Sequence, residues 1–270
     1  MGGHTRNQIE VARSPQKSIG IWGRAKPAFF IFLLATALAL APAAGAQQEA
    51  TPIARARANA EAFLNRMVRV LVAPTASGAS QTGFGFIIGE HATATGGPGF
   101  LIVTVDHLVR SASNPQGPSM VRVLFYANLS YNVPAEVLDE HLPPSEGDLA
   151  VLVVPKRSIP PLSAAAMGSS QALTAGMAAW QLGQADRWTT PEATGRFAFR
   201  EPTGWLYFDG FDGSPESAGG AVITALGLAG MVVGQGSQAT APVRVLPVEL
   251  IIKKLREWGL LDLSGTLAPQ

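Results

Sequence analysis

A chain of 270 residues, 47% hydrophobic and 14% charged, is long and apolar enough for one sizeable core or two small barrels packed together. It contains no cysteine, which excludes a disulfide framework and a thiol nucleophile. Its 20 basic and 19 acidic residues make no single-sign field, so nucleic acid is not an expected partner.

The N-terminal region reads as an export signal. Arg24 and Lys26 precede the apolar run AFFIFLLATALAL, residues 28–40, and the small residues Ala44 and Ala46 flank Gly45. Charge, apolar stretch and small-x-small site together predict a secretory signal peptide cut after Ala46. The run is short for a bilayer span, so no stable membrane span is expected after processing. Residues 1–46 carry Arg6, Arg13, Lys17, Arg24 and Lys26 against Glu10, which leaves 15 basic and 18 acidic residues beyond the cut. The basic excess therefore belongs to the export segment.

The next stretch, TPIARARANAEAFLNRMV, predicts a short helix over about residues 52–66, with Thr51 as cap and Pro52 at the first helical position. Leu64 and Met67 are its expected contacts, either on the rest of the chain or on a partner. The period then shortens. MVRVLVA, FGFIIG, FLIVTV, VRVLFYA, LAVLVV, MAAWQL, GRFAFR, GWLYF, GAVIT and AGMVVG are short runs rich in Val, Ile, Leu and Phe, separated by turn residues. They predict an all-β barrel or sandwich, and no repeated αβ spacing argues for a parallel sheet. PVELIIKKLREWGL returns to a helical period, with Leu250, Ile251, Leu255 and Trp258 on one face, cations in its second half and Gly259 as its stop.

Three positions on this scaffold bear chemistry. His107 follows the apolar strand FLIV in TVDHLV, and Asp148 stands at the mouth of the strand LAVLVV. The loop PESAGGAV, residues 215–222, ends in paired glycines before a strand. Each has a plain structural alternative: an exposed histidine, a turn aspartate, a tight glycine turn. No metal is expected, because His91, His107 and His141 are scattered and HExxH is absent. No cofactor is expected either, since GGPGF lacks the Lys-Ser/Thr of a phosphate loop.

In order, these segments resemble the trypsin-like serine peptidases, especially bacterial HtrA-type protease domains, over about residues 64–259. TVDHLV is similar to the segment of the general-base histidine, DLAVLVV to the strand opened by the orienting aspartate, and PESAGGAV to the nucleophile loop Pro-Gly-Asn-Ser-Gly-Gly-Pro-Val. WQLG, AGMVVG and VRVLPVELIIKKL resemble the glycine-ended strand before that loop, the return strand after it and the approach to the terminal helix. The resemblance implies two six-stranded antiparallel barrels with the site between them. The peptidase domain then covers residues 67–263, with barrels at about 67–157 and 172–246 and a helix at about 247–258. A helical segment at 47–66 precedes it and a tail at 264–270 follows.

The same resemblance assigns proton abstraction to His107 and its orientation to Asp148. It puts Ala218 in the nucleophile slot, Pro215 at the family's proline, Glu216 at its first glycine and Ser217 at its Asn or Asp. Alanine has no hydroxyl to attack a carbonyl. Glu216 resists any positive φ that a glycine would accept there. If Ser217 is the nucleophile instead, Pro215 falls where the second oxyanion amide belongs, and proline has no N–H. A missing donor costs about 3–4 kcal/mol. Asp212, six residues before Ala218, stands where an acidic pocket would select Lys or Arg, and reads equally as a turn residue.

The expected function is an exported protease homologue, catalytically inactive, that holds an extended peptide or an unfolded periplasmic protein by strand addition. Two alternatives stand beside it: an active serine endopeptidase working through His107, Asp148 and Ser217, or an active parent with serine at position 218. The oligomeric state is left open. Export makes one direct prediction: mass spectrometry of the mature chain finds its N-terminus at Gln47, in the periplasm or outside the cell. A chain that keeps residues 28–46 in membrane fractions contradicts it.

Overall fold

The computed structural model describes residues 51–73, 80–110, 120–156, 167–185, 187–188, 195–234 and 241–261. The expected signal peptide at 1–46 and the tail at 264–270 lie outside the described residues. All the described residues belong to one compact unit that begins at Glu49. Among them no helix is long and apolar enough to cross a membrane.

The fold is all-β with three helices. Helix α1 (Pro52–Phe63) begins as its sequence predicts: Thr51 Oγ1 accepts from the Ala54 amide at 3.2 Å, and Pro52 occupies the first turn. A 3₁₀ turn (Leu64–Arg66) completes the expected helical stretch. Ala56, Ala60 and Phe63, one turn apart each, form its buried face, and the expected contacts follow it: Leu64 packs partly buried against the core and Met67 is fully buried in it.

Thirteen strands follow among the described residues. Seven build one sheet: β1 (Met67–Val72), β2 (Gln81–Ala92), β3 (Pro98–Thr104), β4 (Val121–Phe125), β5 (Asn128–Pro134), β6 (Glu136–Leu142) and β7 (Leu149–Pro155). Their order is β5-β4-β1-β2-β3-β7-β6, antiparallel throughout. Helix α2 (Asp106–Val109) sits just after β3. The other six strands are β8 (Ala178–Leu182), β9 (Gly195–Arg200), β10 (Leu206–Asp209), β11 (Ala221–Thr224), β12 (Gly227–Gly234) and β13 (Val243–Pro247), and they close into a barrel. The chain ends its described part with α3 (Val248–Glu257), stopped by Gly259 at φ 70°, with Leu260 N donating to Leu255 O at 2.8 Å.

One closed six-stranded barrel thus stands where two were expected, beside a seven-stranded sheet. The outer strands of that sheet, β5 and β6, are consecutive in the chain, joined through Ala135. Their junction brings the two edges together at one corner, and Tyr131 Oη of β5 donates to Pro155 O of β7 at 2.9 Å. The ladders of the sheet nonetheless end at β5 and β6.

Period-two alternation divides the core. Phe197, Leu206, Phe208, Val222, Val232, Val243 and Val245 form one buried cluster of barrel residues. Their neighbours Trp180, Leu182, Ile223, Met231 and Leu246 belong instead to a larger cluster shared with the sheet and the helices. That cluster ties α1 to the rest. Phe63 meets Phe86 edge-on at a centroid distance of 5.6 Å, and Asn59 Nδ2 donates to Thr224 O at 3.0 Å. The N-terminal helix is therefore part of the core rather than a free docking arm. Phe63→Ala should lower stability by about 3–5 kcal/mol. Urea denaturation followed by tryptophan fluorescence measures it; an unchanged midpoint would mean that α1 is dispensable.

Candidate functional site

The register of three strands gathers the first half of the site. In the ladders Thr104 of β3 pairs with Ala150 of β7, and Ala150 also pairs with His141 of β6. His107 lies three residues past Thr104 and Asp148 two before Ala150, so antiparallel pairing sets them opposite each other. Asp148 Oδ2 lies 2.6 Å from His107 Nδ1, and Asp148 Oδ1 accepts from the His107 backbone amide at 2.9 Å. One carboxylate therefore fixes both the backbone and the ring. An acceptor on Nδ1 places the proton of the neutral imidazole there and leaves the lone pair on Nε2. Asp148 is buried, whereas 41% of the His107 side chain is exposed.

The local fold supports this geometry at a cost. Asp148 has φ 55°, the only non-glycine residue at positive φ among those described. Aspartate tolerates the left-handed region better than most residues, but the conformation still costs roughly 1–3 kcal/mol. The turn before it, whose Gly147 and Asp148 amides both donate to Pro143 O, holds the aspartate in place.

Behind the pair lies a cluster that sequence reasoning missed. Asp106 is buried beside His107. Its Oδ1 accepts from Arg110 Nη1 at 3.2 Å and lies 3.0 Å from His141 Nδ1, off the line of a hydrogen bond. Arg110 also donates to Leu138 O of β6. Burial pushes the Asp106 carboxyl above the ordinary aspartate range; His141 and Arg110 pull it back, and Asp148 adds to the rise. The signal was present in TVDHLVR: a charged residue inside an apolar run, with an arginine four residues on. Among the described residues, no group of three or more His, Asp or Glu side chains gathers as a metal cage.

The second half of the site is the loop before β11. A 3₁₀ turn (Pro215–Ser217) leads into Ala218, which is buried. Pro215 and Glu216 are exposed. Four consecutive amides are taken by the protein itself: Ser217 N donates to Ser214 O at 3.0 Å, Ala218 N to Pro215 O at 3.2 Å, Gly219 N to Val232 O at 2.8 Å and Gly220 N to Ser217 O at 3.1 Å. Glu216 keeps a negative φ because the turn folds inward instead. Ser217 is fully buried, and its hydroxyl faces Asp212 O at 2.7 Å and Ser214 O at 2.8 Å.

Asp212 is an anchor of this loop. Its carboxylate accepts from Ser214 N at 2.9 Å and Ser214 Oγ at 3.0 Å, and its backbone pairs in both directions with the buried Gln181 side chain. The loop then docks on β2. Phe84 N donates to Ala218 O at 2.8 Å. That carbonyl and Leu108, the neighbour of His107, crowd the same open face of Gly83. The structure so brings the turn of His107 and the loop of Ala218 to one spot on β2.

No protein-family model matches the chain, and no curated protein matches its sequence. The site can orient an imidazole with a carboxylate. In the present arrangement the Ser217 and Ala218 amides serve the turn and not an incoming oxyanion.

The loop has no room to spare at Gly219. Its φ is 83°, and a Cβ there would stand 1.9 Å from Phe84 O. Gly219→Ala should lose about 2–6 kcal/mol, combining backbone strain with overpacking. Gly176→Ala, at φ 82° with nothing within 4 Å, should lose only the backbone part. Comparing their thermal midpoints separates the two contributions; equal losses would deny the tight seam.

Proposed function

We propose that this chain is an exported, trypsin-like serine protease homologue, processed near Ala46, that does not hydrolyse peptides and instead binds an extended peptide or unfolded protein at the surface beside His107. The two-barrel arrangement of that family, with the seven-stranded sheet as a counterpart of its first barrel, belongs to the same reading. One observation carries it: an oriented His107–Asp148 pair, whose turn meets β2 at Gly83 together with the loop of Ala218, has no hydroxyl at position 218 beside it, and the Ser217 and Ala218 amides are bonded within the loop.

Attack on a carbonyl needs a hydroxyl within reach of Nε2 and two amides aimed at the developing oxyanion. In the register of Ala218 there is no hydroxyl, and the Ala218 amide is spent on Pro215 O. In the register of Ser217 the hydroxyl is buried against backbone carbonyls, its amide is spent on Ser214 O, and Pro215 has no N–H. Neither register offers both parts. The imidazole, being half exposed, remains available to accept a hydrogen bond from a bound chain.

Fluorophosphonate labelling with casein turnover tests the reading. The natural chain should not label. Ala218→Ser alone should label weakly, because the turn still withholds its amides, and Ala218→Ser with Glu216→Gly should gain about tenfold or more as the loop regains freedom. Labelling of the natural chain that disappears in Ser217→Ala would establish an active peptidase and overturn the proposal.

A further inference from the structure

We propose that the outer face of α3 and the adjoining end of the barrel bind an acidic peptide segment of a partner protein, one that carries an apolar side chain among its carboxylates. The surface shares no residue with the His107 site, and the inference does not depend on how that site is read.

Two hollows, of about 400 and about 260 Å³, lie along α3 and share Glu249 and Lys253. The ridge between them is fixed. Glu249 accepts from Ser170 N at 2.5 Å and from Ser170 Oγ at 2.7 Å, and Arg200 Nη2 donates to the same hydroxyl at 2.9 Å. The acid at the centre is thus held by hydrogen bonds from the protein's own groups.

The larger hollow is lined by the apolar Met167, Val248 and Ile252 and by Lys253 and Arg256 with Glu249 and Glu257. In the smaller one Arg200 and Lys253 stand beside the Trp205 ring. The Arg244 guanidinium lies 4.2 Å from the centroid of that ring, which adds another cation to the same end. Arg200 uses two of its N–H groups on Ser170 Oγ and Gly204 O, so others remain for a carboxylate.

Charge decides the class of partner. Arg200, Arg244, Lys253, Lys254 and Arg256 stand against Glu201, Glu249 and Glu257 here, five cations to three acids; Glu201 is engaged by Thr203, and Glu257 is already drawn to Lys253 and Lys254. This basic surplus sits on a chain whose residues beyond 46 are acidic in balance, 18 against 15. Positive charge concentrated against the net sign of the molecule suits an anionic partner. The apolar groups of this face, Met167, Leu250 and Ile252, are half-buried between the cations. Recessed apolar groups accept an inserted side chain, whereas a bilayer is gripped by projecting ones.

The test is selection of random heptapeptides on the mature chain, with affinities of the winners measured by fluorescence anisotropy. The expected winners carry Asp or Glu around a Leu, Ile or Phe, and weaken as salt rises. Lys253→Glu with Arg256→Glu, both exposed positions, should reduce their affinity tenfold or more. Lys253→Gln with Arg256→Gln should give a smaller loss, with the thermal midpoint of each variant confirming its fold. Neutral or basic winners, no enriched peptide, or equal binding by the charge-reversed variant each overturn the proposal. So does capture by phosphatidylglycerol vesicles with no acidic peptide selected, which would assign the face to a membrane.

Discussion

Phe84 sits in the seam between the seven-stranded sheet and the barrel, and both halves are fitted around its backbone. Its amide donates to Ala218 O at 2.8 Å, and its carbonyl accepts from the buried Thr104 Oγ1 at 2.7 Å. On the barrel side Gly219 approaches that carbonyl with no space for a Cβ, and Gly183 does the same against the Phe84 ring. Trp188 closes on the ring edge-on at 5.5 Å. Such contacts leave few ways for the halves to slide, because packed interiors yield little to small displacements. Everything near the site inherits that rigidity: β2 fixes the loop, β3 and β7 fix the imidazole.

The consequence for chemistry is a site with two halves in different conditions. The imidazole–carboxylate half is assembled, at the expense of one strained aspartate. The loop half is satisfied internally. Backbone amides at 217–220 have protein partners, and a buried amide that already has a partner gains little by exchanging it for a ligand. An oxyanion site on this loop would require breaking the 3₁₀ turn, and an attacking group at position 218 would require a hydroxyl. The loop is held in this form because the Gln181 and Ser217 side chains both bond the Asp212 backbone.

Burial also shapes the ground beneath His107. Asp106 and Asp148 are two buried carboxylates flanking one turn, with Arg110 and His141 as the compensating groups. A buried charge without partners would be expensive, so the pairing of α2 with β6 is as necessary to the turn as the pairing of His107 with Asp148.

Much of this was legible in the residues. The apolar runs from MVRVLVA to AGMVVG became strands, Thr51 and Pro52 opened α1, and Gly259 ended α3, because burial, capping and left-handed backbone are local demands that particular residues answer. NLSYNVP and EVLDEHL did not read as strands. They are the half-exposed edges of the sheet, where polar side chains face water and no apolar alternation is required. The sequence by itself determined the all-β class, the helices at either end and the absence of a hydroxyl at position 218. Only the tertiary structure decided that His141 meets Asp106, that Ser217 is turned inward and that the 215–218 turn closes on its own amides. Those depend on strand register and on which groups compete for a buried hydrogen bond, and such competition is settled between segments far apart in the chain.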